Sequence, residues 1–173
     1  MKFFLLSLFL LTTLNAKILV TPFEAIHNAL GKDVKIVKKN KLLNSKQAAR
    51  VSKLAKVKLS TKIYRIFKTT KNGKVLAYGI LTINKMRSKD AAILFIINPK
   101  GTILSIETIA FNEPPEFAPN KTWQELFISK DITNTLRVAK DLPTITGATL
   151  SARGYANGSR VALALFEVLY KKD

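Results

Sequence analysis

The run Thr144-Ile145-Thr146-Gly147-Ala148-Thr149-Leu150-Ser151 gathers hydroxyls and small residues directly before a segment of helical periodicity. Small residues let backbone amides approach a ligand closely, and a helix start adds unpaired N–H groups at the positive end of its dipole. Together they describe a phosphate site with a hydroxyl at its centre. The same residue types also cap helices, so the run alone does not separate ligand binding from capping.

Few other side chains offer chemistry. The chain has no cysteine, which excludes disulfides, iron–sulfur clusters, thiolate zinc and the attachment of a c-type haem. The single histidine, His27, falls in a predicted helix over Pro22 to Leu30, where an exposed or capping role is expected. It has no evident partners for a Ser-His-Asp arrangement. A redox role therefore needs an organic cofactor.

The beginning of the chain indicates a compartment. Met1-Lys2 precede an apolar run from Phe3 to Leu11, and Thr12 to Ala16 lead to Lys17. A short positive region, an apolar core and a small residue at the cut are expected of a secretory signal peptide over residues 1–16. The run is shorter than the ~20 apolar residues that span a bilayer. Residues 17–173 are then expected to form one domain, periplasmic or extracytoplasmic after export and able to associate with a membrane, and long enough to bury a core.

Charge is the other global signal. Lys and Arg number 29 against 11 Asp and Glu, for a net charge of +18. Basic residues recur at Lys32, Lys35, Lys38, Lys39 and Lys41, at Lys53, Lys56, Lys58 and Lys62, and at Lys85, Arg87 and Lys89. An exported protein is not expected to meet nucleic acid, and no aromatic-studded basic strand for stacking bases is evident. A basic solvated surface that attracts acidic partners or an anionic membrane is the expectation.

The elements that must position the Thr/Gly run read as α+β. Thr21 and Pro22 open the first helix and Gly31 ends it. A short strand is predicted at Val34 to Val37, and a second helix at Ser45 to Ala55 with Ala48, Val51 and Ala55 on one face. Strands at Lys62 to Lys68 and Val75 to Ile83 flank Lys71-Asn72-Gly73, a strong hairpin signal. A second pair, Ala91 to Ile97 and Ile103 to Phe111, flanks Asn98-Pro99-Lys100-Gly101. A twisted antiparallel sheet of about four or more strands, packed by helices, follows. Beyond it, three prolines break the segment 111–120; short helices are predicted at Thr122 to Phe127, carrying Trp123, and within Lys130 to Ala139. The last helix is predicted from Ala152 to Lys171, with Val161, Leu165 and Leu169 on a stripe that packs on the sheet.

The stretch Thr146-Gly147-Ala148-Thr149-Leu150-Ser151 resembles the flavinylation motif of the FMN-binding domain family, which includes flavin-bearing periplasmic subunits of Rnf and sodium-pumping NADH:quinone oxidoreductase complexes. Asn112-Glu113-Pro114-Pro115 resembles that family's Glu-Thr-Pro-Gly loop, and Trp123 and Phe127 follow like its Trp and Phe. Where the family has an acid six residues before the attachment threonine, this chain has Pro143, with Asp141 two residues further upstream. Glu116 and Phe117 stand where Gly and Leu would be expected.

The resemblance implies FMN as cofactor, joined through its phosphate to the hydroxyl of Thr149 by a dedicated flavin transferase. It implies that Gly147 and Ala148 leave room for the phosphate, that Thr146, Leu150 and Ser151 line it, and that Arg153 pairs with it. Glu113 would face the ribityl chain or ring, and Trp123 would pack on the isoalloxazine or serve the core. The implied function is an exported electron carrier between a membrane-bound redox complex and a periplasmic acceptor, rather than a stand-alone enzyme. The alternative is an exported accessory module of the same fold without stable flavin, docking an anionic partner or membrane through its basic surface.

Overall fold

The computed structural model describes residues 18–171, so the expected signal peptide lies outside the described residues. The elements are α1 (Pro22–Leu30), β1 (Lys35–Leu42), α2 (Ser45–Ala55), β2 (Ile63–Lys71), β3 (Lys74–Lys85), β4 (Asp90–Ile97), β5 (Ile103–Phe111), α3 (Lys121–Glu125) and α4 (Thr149–Leu169), with a 3-10 turn at Pro115–Phe117. Local chemistry explains the boundaries of the early ones. Thr21 and Glu24 form a reciprocal capping box at the start of α1, and Asn44 and Gln47 form another at the start of α2. Asn72 and Gly73 both take positive φ, 49° and 75°, the geometry a two-residue hairpin requires.

The five strands pair antiparallel in the order β1-β2-β3-β4-β5. Alternation along each strand divides the side chains between two cores. Tyr64, Ile66, Ile80, Ile93, Phe95 and Ile106 join α2 and α4 in the larger. Phe67, Ala77, Leu94, Ile96 and Ile109 meet Ala25 and Ile26 of α1 in the smaller. The sheet is thus covered by helices on both faces, an α+β architecture as expected.

Three expectations need correction. The first strand runs on to Leu42 instead of ending at Val37, because β2 supplies a continuous partner from Thr70 to Ile63. Lys130 to Ala139 holds no helix. There the side chains of Asp131 and Asn134 take up nearby amides, Asp131 accepting from Thr133 N (2.9 Å) and Asn134 from Asp131 N (2.9 Å). Such local bonds compete with a helical ladder, and Leu136 and Ala139 take positive φ. Finally, α4 begins at Thr149 rather than Ala152, which puts the motif's last threonine inside the first turn.

α4 is also more buried than one stripe implies. Ser151, Ala152, Gly154, Tyr155, Ala156, Gly158, Ser159 and Val161 through Phe166 are all buried, since α4 lies between the sheet and α2. Gly154 and Gly158 let it approach the end of β3. A Cβ on Gly154 would lie 2.5 Å from Met86 Sδ, and one on Gly158 would lie 2.7 Å from Asn84 Nδ2.

Candidate functional site

The close approach at Gly154 sets the start of α4 beside the turn between β3 and β4. Arg87 from that turn, Phe117, and Gly147 through Ser151 together line a shallow cavity of about 170 Å³. Gly147 has φ of +77° and open space where a Cβ would stand, so the loop leaves room above it. Ala148 occupies the N-cap position without a side-chain cap, which leaves the first-turn amides of α4 without a side-chain acceptor. Thr149 is half-buried, and its hydroxyl donates to the Ile145 carbonyl at 3.1 Å. That bond fixes the direction of the hydroxyl hydrogen and leaves its lone pairs for other partners.

Arg87 and Phe117 are the residues that sequence reasoning left out of the site. The guanidinium carbon of Arg87 stands 5.0 Å from the Phe117 ring centroid, a cation–π contact that holds the cation at the cavity rim. Its sequence signal was the basic turn Lys85, Arg87 and Lys89, legible as charge but not as a site.

The other residues implied by the resemblance are placed less uniformly. Leu150 and Ser151 line the cavity; Thr146 is exposed beside it. Arg153 is exposed one helical turn beyond Thr149, at the i,i+4 spacing that puts two side chains on one face. Glu113 is buried, and its carboxylate is taken up by the β3–β4 turn. It accepts backbone N–H bonds from Lys89 (2.7 Å), Arg87 (3.1 Å) and Ser88, and a bond from the Ser88 hydroxyl. Glu113 therefore shapes the segment that carries Arg87.

Those N–H bonds, led by the one from Lys89, hold the Glu113 carboxyl below its usual pKa against the opposing effect of burial. A depressed folded pKa contributes stability above the ordinary carboxylate range and loses it as pH falls through the folded value. The melting temperature of wild type should exceed that of Glu113→Gln at neutral pH, and the gap should close on acidification. A gap independent of pH would contradict this role.

Trp123 is a core residue at the foot of the motif loop. It is buried, meets Phe127 edge-on at 5.2 Å, and donates from Nε1 to the Pro143 carbonyl at 3.0 Å. Trp123→Phe keeps the apolar contact but leaves that carbonyl without its donor. The expected cost is about 1–3 kcal/mol by denaturant unfolding, and an unchanged midpoint would refute it. Asp141 is engaged too: it accepts from Arg137 N at 2.6 Å and Leu136 N at 2.5 Å, so it folds its own loop.

The geometry so far describes an anion cradle at a helix start, closed by an arginine and centred on a threonine hydroxyl. The family model described as FMN-binding domain matches residues 88–164, which spans the motif loop and most of α4. That segment is similar to the FMN-binding domain family, and the match supports FMN as the cofactor. The fold is similar to the crystal structure of NqrC from Shewanella oneidensis, with a TM-score of 0.54 and 16% identity over 85% of each chain. No curated protein matches the chain.

Proposed function

We propose that this protein is an exported electron carrier whose FMN is held as a phosphoester of Thr149. The observation that supports it most is the placing of the Thr149 hydroxyl at an uncapped helix start, in a cavity that Arg87 shares. The donors suit a phosphate: amides of the first turn of α4, the helix dipole, and a guanidinium able to bond two oxygens. Arg153 adds a second cation one turn along. FMN, when bound, supplies the capacity to accept and pass on electrons.

The size of the cavity favours a covalent link. Small-molecule and cofactor pockets commonly have about 300–1,000 Å³, whereas this one has about 170 Å³. It accommodates the phosphate end, and an ester bond keeps the rest in place. In forming it, a flavin transferase would make a bond from Thr149 Oγ to the flavin-side phosphorus of a flavin dinucleotide donor and break that donor's pyrophosphate bond, the nucleoside monophosphate leaving and the hydroxyl proton passing to solvent. The hydrogen bond to Ile145 would be lost at the same step.

Electron exchange with a membrane-bound redox complex and an extracytoplasmic acceptor fits this assignment and the signal peptide expected over residues 1–16. The test is co-expression with a flavin transferase, followed by intact mass and absorbance. A yellow protein, shortened at the N-terminus and heavier by one FMN less one water, is the expected product. A colourless, unmodified protein beside an active transferase would overturn the ester and favour the accessory module.

A further inference from the structure

The positive charge is not distributed evenly. From Val34 to Lys89 the chain has no acidic residue and seventeen Lys and Arg, so this stretch carries nearly all of the net +18. The fold brings it together as β1, α2, β2 and β3, with β1 as an unpaired edge of the sheet. One flank of the molecule is therefore almost purely cationic.

Apolar side chains stand out on that same flank. Leu42 of β1 pairs with Ile63 of β2, and they are 67% and 60% exposed. Continuing the β2–β3 register by two residues from the Arg65–Leu81 pair aligns Ile63 with Ile83, itself 53% exposed. The three form a cross-strand row on the face that α1 covers elsewhere. Period-2 alternation puts Lys38, Arg65 and Lys85 on this face too. Asp90 is the cross-strand partner of Lys85 and ends the acid-free stretch. Exposed aliphatics in an edge strand invite aggregation, which natural sequences counter with lysines, and β1 has four. A row of large aliphatics ringed by cations also has the composition of a surface that lies on anionic lipid.

We propose that this flank docks on an anionic bilayer surface, with Leu42, Ile63 and Ile83 entering the headgroup layer and Lys38, Arg65 and Lys85 meeting lipid phosphates. Among the described residues no helix is long and apolar enough to cross a membrane, so contact by this part of the chain is at the surface. Ile83 and Lys85 lead directly into the turn that carries Arg87. Docking there would hold the flavin end of the sheet near the bilayer. The inference rests on the reading of an exported carrier that serves a membrane-bound complex.

Co-sedimentation of the full exported chain with vesicles tests it. Binding is expected to phosphatidylcholine vesicles containing phosphatidylglycerol and not to phosphatidylcholine alone. It should disappear in about 1 M salt, where the screening length falls to ~3 Å. Lys38→Gln/Arg65→Gln/Lys85→Gln should weaken it on the order of a hundredfold, at about fivefold per charge. Leu42→Ser/Ile63→Ser should weaken it while leaving the fold intact by circular dichroism, since both side chains are exposed. Equal binding to both kinds of vesicle, no binding to either, or variants that bind like wild type would overturn the proposal. Thr149→Ala should bind vesicles as wild type does. Failure of flavin attachment and failure of docking are therefore read separately.

Discussion

Thr149→Ala should abolish FMN incorporation while leaving the protein folded. The hydroxyl contributes one hydrogen bond, to the Ile145 carbonyl. Its loss from a half-buried position is expected to cost about 0.5–1.5 kcal/mol, well within the stability of a domain of this size. Incorporation has no such tolerance, because the ester needs an oxygen at that atom. Thr149→Ser restores the oxygen without the methyl that restrains its rotamer, so labelling should return at a reduced rate. Intact mass after co-expression with a flavin transferase reads both variants, and far-UV circular dichroism confirms that they are folded. Thr149→Ala carrying one FMN less water would place the ester elsewhere, with Thr146 the nearest alternative hydroxyl of the motif.

Gly154→Val should have the largest effect on stability, and it should reach the site indirectly. A Cβ there would meet Met86 Sδ at 2.5 Å and the Lys85 carbonyl at 3.1 Å. Met86 is flexible enough to yield to one methyl, and alanine recovers about 1 kcal/mol of helix propensity over glycine. Gly154→Ala is therefore expected to be tolerated. Valine adds two more carbons against a backbone carbonyl that cannot yield, so α4 must move away from β3. Such overpacking costs about 1–3 kcal/mol or more. Met86 is followed by Arg87, so the same displacement should carry the guanidinium away from Thr149 and lower incorporation. Denaturant midpoints and intact mass test the two effects together. A valine variant as stable as wild type would show that the helix–strand contact is looser than its geometry.

The elements that the sequence located correctly are those whose signals are local. Thr21 with Glu24, Asn44 with Gln47, and Asn72 with Gly73 each act within a few residues. Accordingly α1, α2 and the first hairpin lie where predicted. The segment from Lys130 to Ala139 departs from the expected helix because side-chain bonds from Asp131, Asn134 and Asp141 compete with a helical ladder. The start of α4 was misread because Thr149 looks like a residue before a helix, although it is the first one inside it.

The motif itself marked the loop, its hydroxyl and its relation to FMN, since a run of small residues before a helix constrains backbone geometry wherever it occurs. Tertiary structure decided which groups meet that loop. Arg87 lies far from Thr149 in the chain and reaches it because glycines bring α4 against the end of β3. Glu113, expected to face the ribityl chain or ring, is held by three amides of the Arg87 turn. Trp123 supports the motif from below through the Pro143 carbonyl. A sequence shows which residues can do chemistry because that is a property of each side chain. Which of them remain free to do it depends on hydrogen bonds and close contacts made across the fold.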